Sequence, residues 1–342
     1  MRPLLRGSLL AFRLLSATLV LYITIVGFLS TFRFGGVPMI QRLLPLQNPG
    51  GPSHSLVRFR EVASSAPVDL VFLGASHTYR GFDPRFFAKL GHTSLNLGSS
   101  SQTPLNTVTL LKRHISTLKP RLAIYEIYHP ALALDGMESF YDLLSNTPID
   151  IPMMEMAWSL QQPQAWTALL ATGFRNLRSP ASGFVQRGKE GRDDLYIKGG
   201  YVQTRATMPI HRLEGLRKMF RDHAPTNTTA GPAFSPRQLQ FLSECVEIVR
   251  RQGGAFIACS YPVPEEMQAL LPGFRQRQEE VARFFQRLGV PYKDFNVDMT
   301  LDTAIHYYDE VHLNQAGVEL FNASLIEWLR RENLLSGAST PR

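Results

Sequence analysis

The sequence predicts an α/β protein: a three-layer α/β/α sandwich with a mostly parallel, flavodoxin-like sheet, an N-terminal transmembrane helix and a large insertion. Two observations carry the layered domain. Short apolar runs of strand length, VDLVFLG (68–74), TSLNLG (93–98), RLAIYEIY (121–128) and AFIACSYP (255–262), alternate with longer stretches of helical periodicity. Alternation of this kind implies parallel strands joined by crossover helices. The third observation is the uncharged run LLSATLVLYITIVGFLSTF from Leu14 to Phe32, nineteen residues long, close to the roughly 20 that an α-helix needs to cross a bilayer.

The apolar run reads as an uncleaved anchor. A signal peptide carries a shorter apolar core of about 7–15 residues and then a small-residue cleavage site, whereas Phe32 leads directly to Arg33. Arg2, Arg6 and Arg13 precede the run, which leaves the N-terminus in the cytoplasm and sends the rest of the chain outward. Residues 1–33 are therefore expected to be a cytoplasmic stub and single-pass anchor. Residues 34–56, with Asn48-Pro49 and Gly51-Pro52, are expected to be a linker. The α/β domain is expected over 57–335, with a tail at 336–342.

Between the second and third runs, Leu105, Val108, Leu111, Ile115 and Leu118 recur at helical spacing behind Thr103 as N-cap and Pro104 in the first turn. After Pro236, Leu239, Leu242, Val246 and Val249 share one face of a helix that stops at Gly253-Gly254. A helix over much of 264–288, a fifth strand in VPYKDF and a last helix from about Gln315 to Arg331 complete the rhythm. Residues 130–235 break it. An excursion of that size far exceeds the usual α/β loop of about 2–6 residues, and it is expected to form a lid, a substrate wall or a docking surface.

Composition bounds the chemistry. With 342 residues, 44% of them hydrophobic, the chain has material for a substantial core. Lys and Arg outnumber Asp and Glu by 36 to 28, but several of the basic residues flank the apolar run and no basic-aromatic recognition motif is present. A membrane partner is expected, and nucleic acid is not. The two cysteines, Cys245 and Cys259, form no Cys-x-x-Cys pair and indicate no thiolate zinc site. Export would permit them to pair, and spacing does not separate that outcome from two buried free thiols.

Two short stretches carry candidate chemistry. The first strand runs into Gly74-Ala75-Ser76-His77, which puts a serine at the carboxyl end of a parallel strand, where open α/β sheets hold their ligands. Far downstream, Asp309-Glu310-Val311-His312 precedes the last helix. An Asp three residues ahead of a His suits a carboxylate that orients an imidazole toward a serine. Alternatives remain at this level: Ser76 as a helix cap, Asp309 as a solvated charge, His312 as a core histidine, or His306, Asp309 and His312 as metal ligands. No metal ion or cofactor is expected, because no second His or acidic cluster completes a ligand set.

In combination the two stretches resemble the SGNH/GDSL hydrolase family, with Ser76 at the nucleophile block, Gly98 in Asn96-Leu97-Gly98-Ser99 at the second block, and Asp309 with His312 at the last. The resemblance covers roughly residues 66–145 and 236–332. It looks most similar to the anchored, envelope-facing branch that includes teichoic-acid D-alanylation and alginate-acetylation proteins. It implies a Ser76–His312–Asp309 triad, an oxyanion hole at the Ser76 and Gly98 backbone, and an esterase or O-acyltransferase acting outside the cytoplasm on cell-envelope or exported polysaccharide. The third block departs: where the family shows Gly-x-Asn-Asp, this chain has Glu126-Ile127-Tyr128-His129-Pro130, so no oxyanion asparagine is carried over. His77, Glu126 and His129 are further candidates for substrate contact. The alternative is a non-catalytic binding or envelope-assembly protein on the same fold, or a lipid-directed esterase. An intact Ser76–His312 hydrogen bond in an open cleft favours catalysis; a plugged site favours binding.

Overall fold

The computed structural model describes residues 2–46, 54–178, 194–223 and 233–335; the expected tail, part of the linker and parts of the insertion lie outside the described residues. Helix α1 spans Arg2–Thr31. Its Ser8–Thr31 portion is long and apolar enough to cross a membrane, as an anchor or as a signal sequence. The stretch expected as a linker is partly built. Arg33–Phe34 pairs antiparallel with Val37–Pro38 across Gly35 and Gly36, which both have positive φ, at 61° and 79°, the pattern that a tight two-residue hairpin demands. A single helical turn follows at Ile40–Leu43, and Ile40, Leu44 and Leu46 join Val26 of α1 in the main core.

The central sheet has five strands: β1 (Leu70–Leu73), β2 (Ser94–Asn96), β3 (Leu122–Glu126), β4 (Ala255–Ser260) and β5 (Tyr292–Asp294). All pair in parallel, in the order β2-β1-β3-β4-β5. That order reverses direction between β1 and β3, and doubly wound sheets open their crevice at such a reversal, beyond the strands' carboxyl ends. β1 and β3 are buried along their whole length, as strands covered on both faces must be. Side chains alternate between two cores. Val71, Leu73, Ala123, Tyr125 and Ala258 face one of them, with helices α3 (Pro104–Leu118), α7 (Pro236–Arg251) and α8 (Phe274–Arg287). Leu70, Phe72, Ile124 and Ile257 face the other, with helix α9 (Gln315–Arg331).

Local chemistry sets the helix ends. Asn106 Oδ1 accepts the Thr103 N–H at 2.9 Å ahead of Pro104, which caps α3. Asn314 Oδ1 accepts the Gly317 N–H at 3.2 Å and caps α9. Cys245 on α7 and Cys259 on β4 are free, buried thiols, and burial pushes both well above the ordinary thiol range.

The insertion contributes to the domain's own core. Its helices α4 (Met137–Asn146), α5 (Ile151–Leu160) and α6 (Pro163–Arg178) place Phe140, Leu143, Met153, Met156 and Ala168 in the main cluster. Further on, Leu195–Ile197 and Tyr201–Gln203 form an antiparallel pair. At its turn the Gly199 carbonyl accepts the Asn96 N–H at 2.9 Å, which covers the outer edge of β2.

Candidate functional site

β1 ends at Gly74, whose φ of +136° and approach to β3 both require glycine: a Cβ there would lie 2.5 Å from the Glu126 carbonyl oxygen. The turn brings Ser76 out as the first residue of helix α2 (Ser76–Gly81). From the other side comes the loop before α9, pinched by a bridge between Tyr307 and Leu313. Inside that loop Asp309 Oδ1 accepts the N–H groups of Val311 at 3.0 Å and His312 at 2.8 Å. The imidazole of His312 donates from Nδ1 to Asp309, with both carboxylate oxygens at 2.9 Å. Because a carboxylate only accepts, that contact fixes the tautomer, and His312 Nε2 accepts the Ser76 hydroxyl proton across 2.8 Å. The geometry suits removal of the Ser76 proton as its oxygen attacks an acyl carbon.

The electrostatics match this division. Burial alone would push the Asp309 carboxyl up, but the His312 hydrogen bond and charge and the two backbone donors outweigh it and hold Asp309 well below the usual carboxylate range. Burial lowers His312 to about 4, against the pull of Asp309 and with help from His77 and Arg80. A base must be neutral to accept a proton, so activity rises with pH through the His312 pKa. Reaction at Ser76 is expected to be half-maximal near pH 4, and flat from pH 6 to 8, in a plot of labelling rate against pH. A midpoint at about 6.5, the value of an ordinary histidine, would contradict this.

The other candidates part company. His77 lines the cavity beside the triad, with its ring stacked on Tyr261 at 4.8 Å and 5.1 Å from that of His312. Its Nε2–H donates to the Val311 carbonyl at 3.1 Å, which steadies the residue before His312. Glu126 and His129, expected to touch substrate, do not line the cavity. The Glu126 carboxylate points inward to His77 Nδ1 at 3.4 Å and is 1% exposed; among the described residues neither of its oxygens has a hydrogen-bond partner. His129 lies near Phe234 and Phe274, and burial lowers it to about 4. Unfolding lets it take up a proton between pH 6.5 and 4, so its contribution to stability is lost as pH falls through that window. His129→Phe should therefore flatten the pH dependence of the unfolding free energy from urea titrations there, by about 1.4 kcal/mol per pH unit; an unchanged slope would sink this reading.

Gly98 does not itself line the cavity. Its role is close approach: a Cβ would sit 3.0 Å from the Ala75 carbonyl oxygen and from Thr78 Cβ, so the glycine lets the end of β2 press against the turn that carries Ser76. His306 leaves the metal alternative, since its Nδ1 accepts the Asp302 N–H at 2.9 Å.

The triad opens into a cavity of about 440 Å³, whose lining also includes Arg80, Ser100, Tyr128, Leu134 and Tyr308. Arg80 is 5% exposed and donates to both oxygens of Asp194, at 3.4 and 3.1 Å, with its guanidinium 5.0 Å from the centre of the Tyr308 ring. Arg80 was findable in the sequence, one helical turn after Ser76. Asp194 carries no such signal, because it reaches Arg80 from 114 residues away.

No family model and no curated protein matches the chain. Solved structures similar to it include a putative acylhydrolase from Bacteroides fragilis, at 12% identity and TM-score 0.40, with 81% of this chain and 95% of that one covered. A GDSL-like lipase from Bacteroides thetaiotaomicron matches at 12% identity and TM-score 0.39, over 80% and 95%. The aryl esterase of M. smegmatis matches at 13% and 0.33, over 77% and 99%. At these levels a likeness assigns neither a family nor a reaction to this chain.

Proposed function

We propose that the protein is a serine esterase or O-acyltransferase of SGNH/GDSL type, anchored by α1 with its α/β domain outside the cytoplasm, acting on O-acyl groups of cell-envelope or exported polysaccharide. The carrying observation is the unbroken Ser76–His312–Asp309 hydrogen-bond chain, at 2.8 and 2.9 Å, on the wall of an open cavity. Ser76 attacks the ester carbonyl, its proton passes to His312 Nε2, and Asp309 stabilises the imidazolium. His312 then returns the proton to the leaving alcohol, and an acyl-Ser76 ester remains. Water, or a sugar hydroxyl, takes the acyl group with His312 as base again.

The oxyanion needs donors that the family's asparagine would otherwise supply. The Ser76 N–H, first of α2, is one. Tyr128 supplies the second in this reading: it follows β3, lines the cavity, and burial, with Glu126 adding to it, pushes its hydroxyl up to about 12, so it stays a proton donor. Tyr128→Phe is expected to lower kcat by about 100-fold with little change in KM; an unchanged kcat would remove Tyr128 from the reaction. The reading as a whole is tested by treating the full chain, in detergent, with a fluorophosphonate and measuring intact mass. One adduct, lost in Ser76→Ala and in His312→Ala, is expected. A folded protein that stays unlabelled counts against an activated serine.

A further inference from the structure

His312 does not stand alone in its loop. The ring of Tyr308 lies nearly parallel to the imidazole, with an interplanar angle of 14° and centroids 5.6 Å apart. The Tyr308 N–H also donates to the His312 carbonyl at 3.1 Å, so the two residues face each other across the pinched turn. Over the Tyr308 ring lies the Arg80 guanidinium, 5.0 Å from its centroid, as a cation sits on an aromatic face. Two hydrogen bonds to Asp194, at 3.4 and 3.1 Å, hold the guanidinium there, and the Asp194 side chain is itself only 8% exposed.

Water screens that charge poorly, because Arg80 is almost wholly buried. The titratable groups around the His312 ring are Asp309 and Tyr308 of its own loop and His77 of α2. Behind His77 stand Glu126 of β3 and the rings of Tyr128 and Tyr261. Burial raises all three phenols above the ordinary tyrosine range, so they stay neutral. On its own side Arg80 meets Asp194, Tyr308 and Tyr79, with the Arg58 guanidinium 4.2 Å from the centre of the Tyr79 ring. An arginine keeps its charge at every working pH, so His312 has a standing positive charge for a neighbour.

We propose that Tyr308 and Arg80 are positioning residues for the catalytic base: Tyr308 fixes the plane of the His312 ring, and Arg80, anchored on Asp194, is a permanent positive charge beside it that drives the proton onward to the leaving alcohol. The proposal rests on the serine reading. As the Ser76 oxygen bonds to the acyl carbon, its proton moves to His312 Nε2, and an imidazolium near a guanidinium gives that proton up readily. As the bond from the acyl carbon to the alcohol oxygen breaks, the proton passes to that oxygen and the alcohol leaves neutral. Arg80 thus weakens His312 as a base and strengthens it as an acid. Sugar and polyol alkoxides are poor leaving groups, and this balance suits their esters.

Labelling of the full chain by a fluorophosphonate, followed against pH in detergent, separates the two parts. In Arg80→Met the midpoint is expected to move upward from about 4 by about one unit, because loss of a nearby positive charge makes the imidazolium easier to form. The double variant Arg80→Met/Asp194→Asn leaves no buried carboxylate without its partner. It is expected to shift the same way, and it decides the matter where the single variant fails to fold. Tyr308→Leu is expected to keep the wild-type midpoint and to lose about 100-fold in plateau rate through misplacement of the ring. A wild-type midpoint in the folded Arg80 variants overturns the proposal and leaves the triad standing. So do a Tyr308→Leu plateau equal to wild type, and a loss of folding in Tyr308→Leu or in both Arg80 variants. Wild-type protein that takes no label overturns the serine reading and this one with it.

Discussion

Asp309→Asn is expected to slow acylation of Ser76 by about 10⁴-fold while leaving the fold intact. The loop survives because an Asn oxygen still accepts the Val311 and His312 N–H groups, now held by Asp309 Oδ1. Chemistry fails for a reason of tautomers. The Asn amide presents N–H groups toward His312 Nδ1, which must then accept rather than donate, and the ring proton moves to Nε2 facing Ser76. An Nε2 that carries a proton cannot take another from the serine hydroxyl. Labelling rates with a fluorophosphonate at neutral pH, beside thermal unfolding of both proteins, check the expectation. Equal rates would show that Asp309 does not set the tautomer, and an unfolded variant would show that the loop depends on the carboxylate itself.

Much of this arrangement was legible because it is written in local patterns. The five strands sit inside apolar runs visible by eye, down to Tyr292–Asp294 within VPYKDF. Ser76 and His312, separated by 236 residues, were paired by position: one ends the first strand and the other precedes the last helix. Side-chain direction was harder. An extended backbone through Ser76 would send His77 to the opposite face, but Ser76 begins a helix, where successive residues turn by only about 100°, and His77 stays at the site's wall. Sequence distance puts Glu126 and His129 near the site, and alternation at the end of β3 turns Glu126 inward instead. Gly98 shows the limit of a motif: the glycine is where the family block places it, while its reason for being glycine is the neighbouring turn. Contacts of α1 with α6 were beyond reach, since Tyr22 and Thr167 lie 145 residues apart.

Glu126→Ala is expected to destabilise the protein by about 3–5 kcal/mol, the usual result of deleting one partner of a buried charged or polar pair. His77 Nε2 donates to the Val311 carbonyl, so in a neutral ring Nδ1 is a bare acceptor, and it faces a carboxylate oxygen at 3.4 Å. Burial leaves both atoms without water, so what stands opposite Nδ1 matters. Alanine leaves Nδ1 facing nothing and opens a void, whereas Glu126→Gln keeps the volume and offers an amide N–H to Nδ1. The glutamine variant should therefore lose about 1 kcal/mol or less. Since His77 holds the carbonyl beside His312, the alanine variant should also react more slowly at Ser76, and the glutamine variant should not. Urea denaturation and labelling rates of the two proteins decide it: equal destabilisation by Ala and Gln would mean that neither the filled volume nor an N–H toward His77 Nδ1 supports the base of the site.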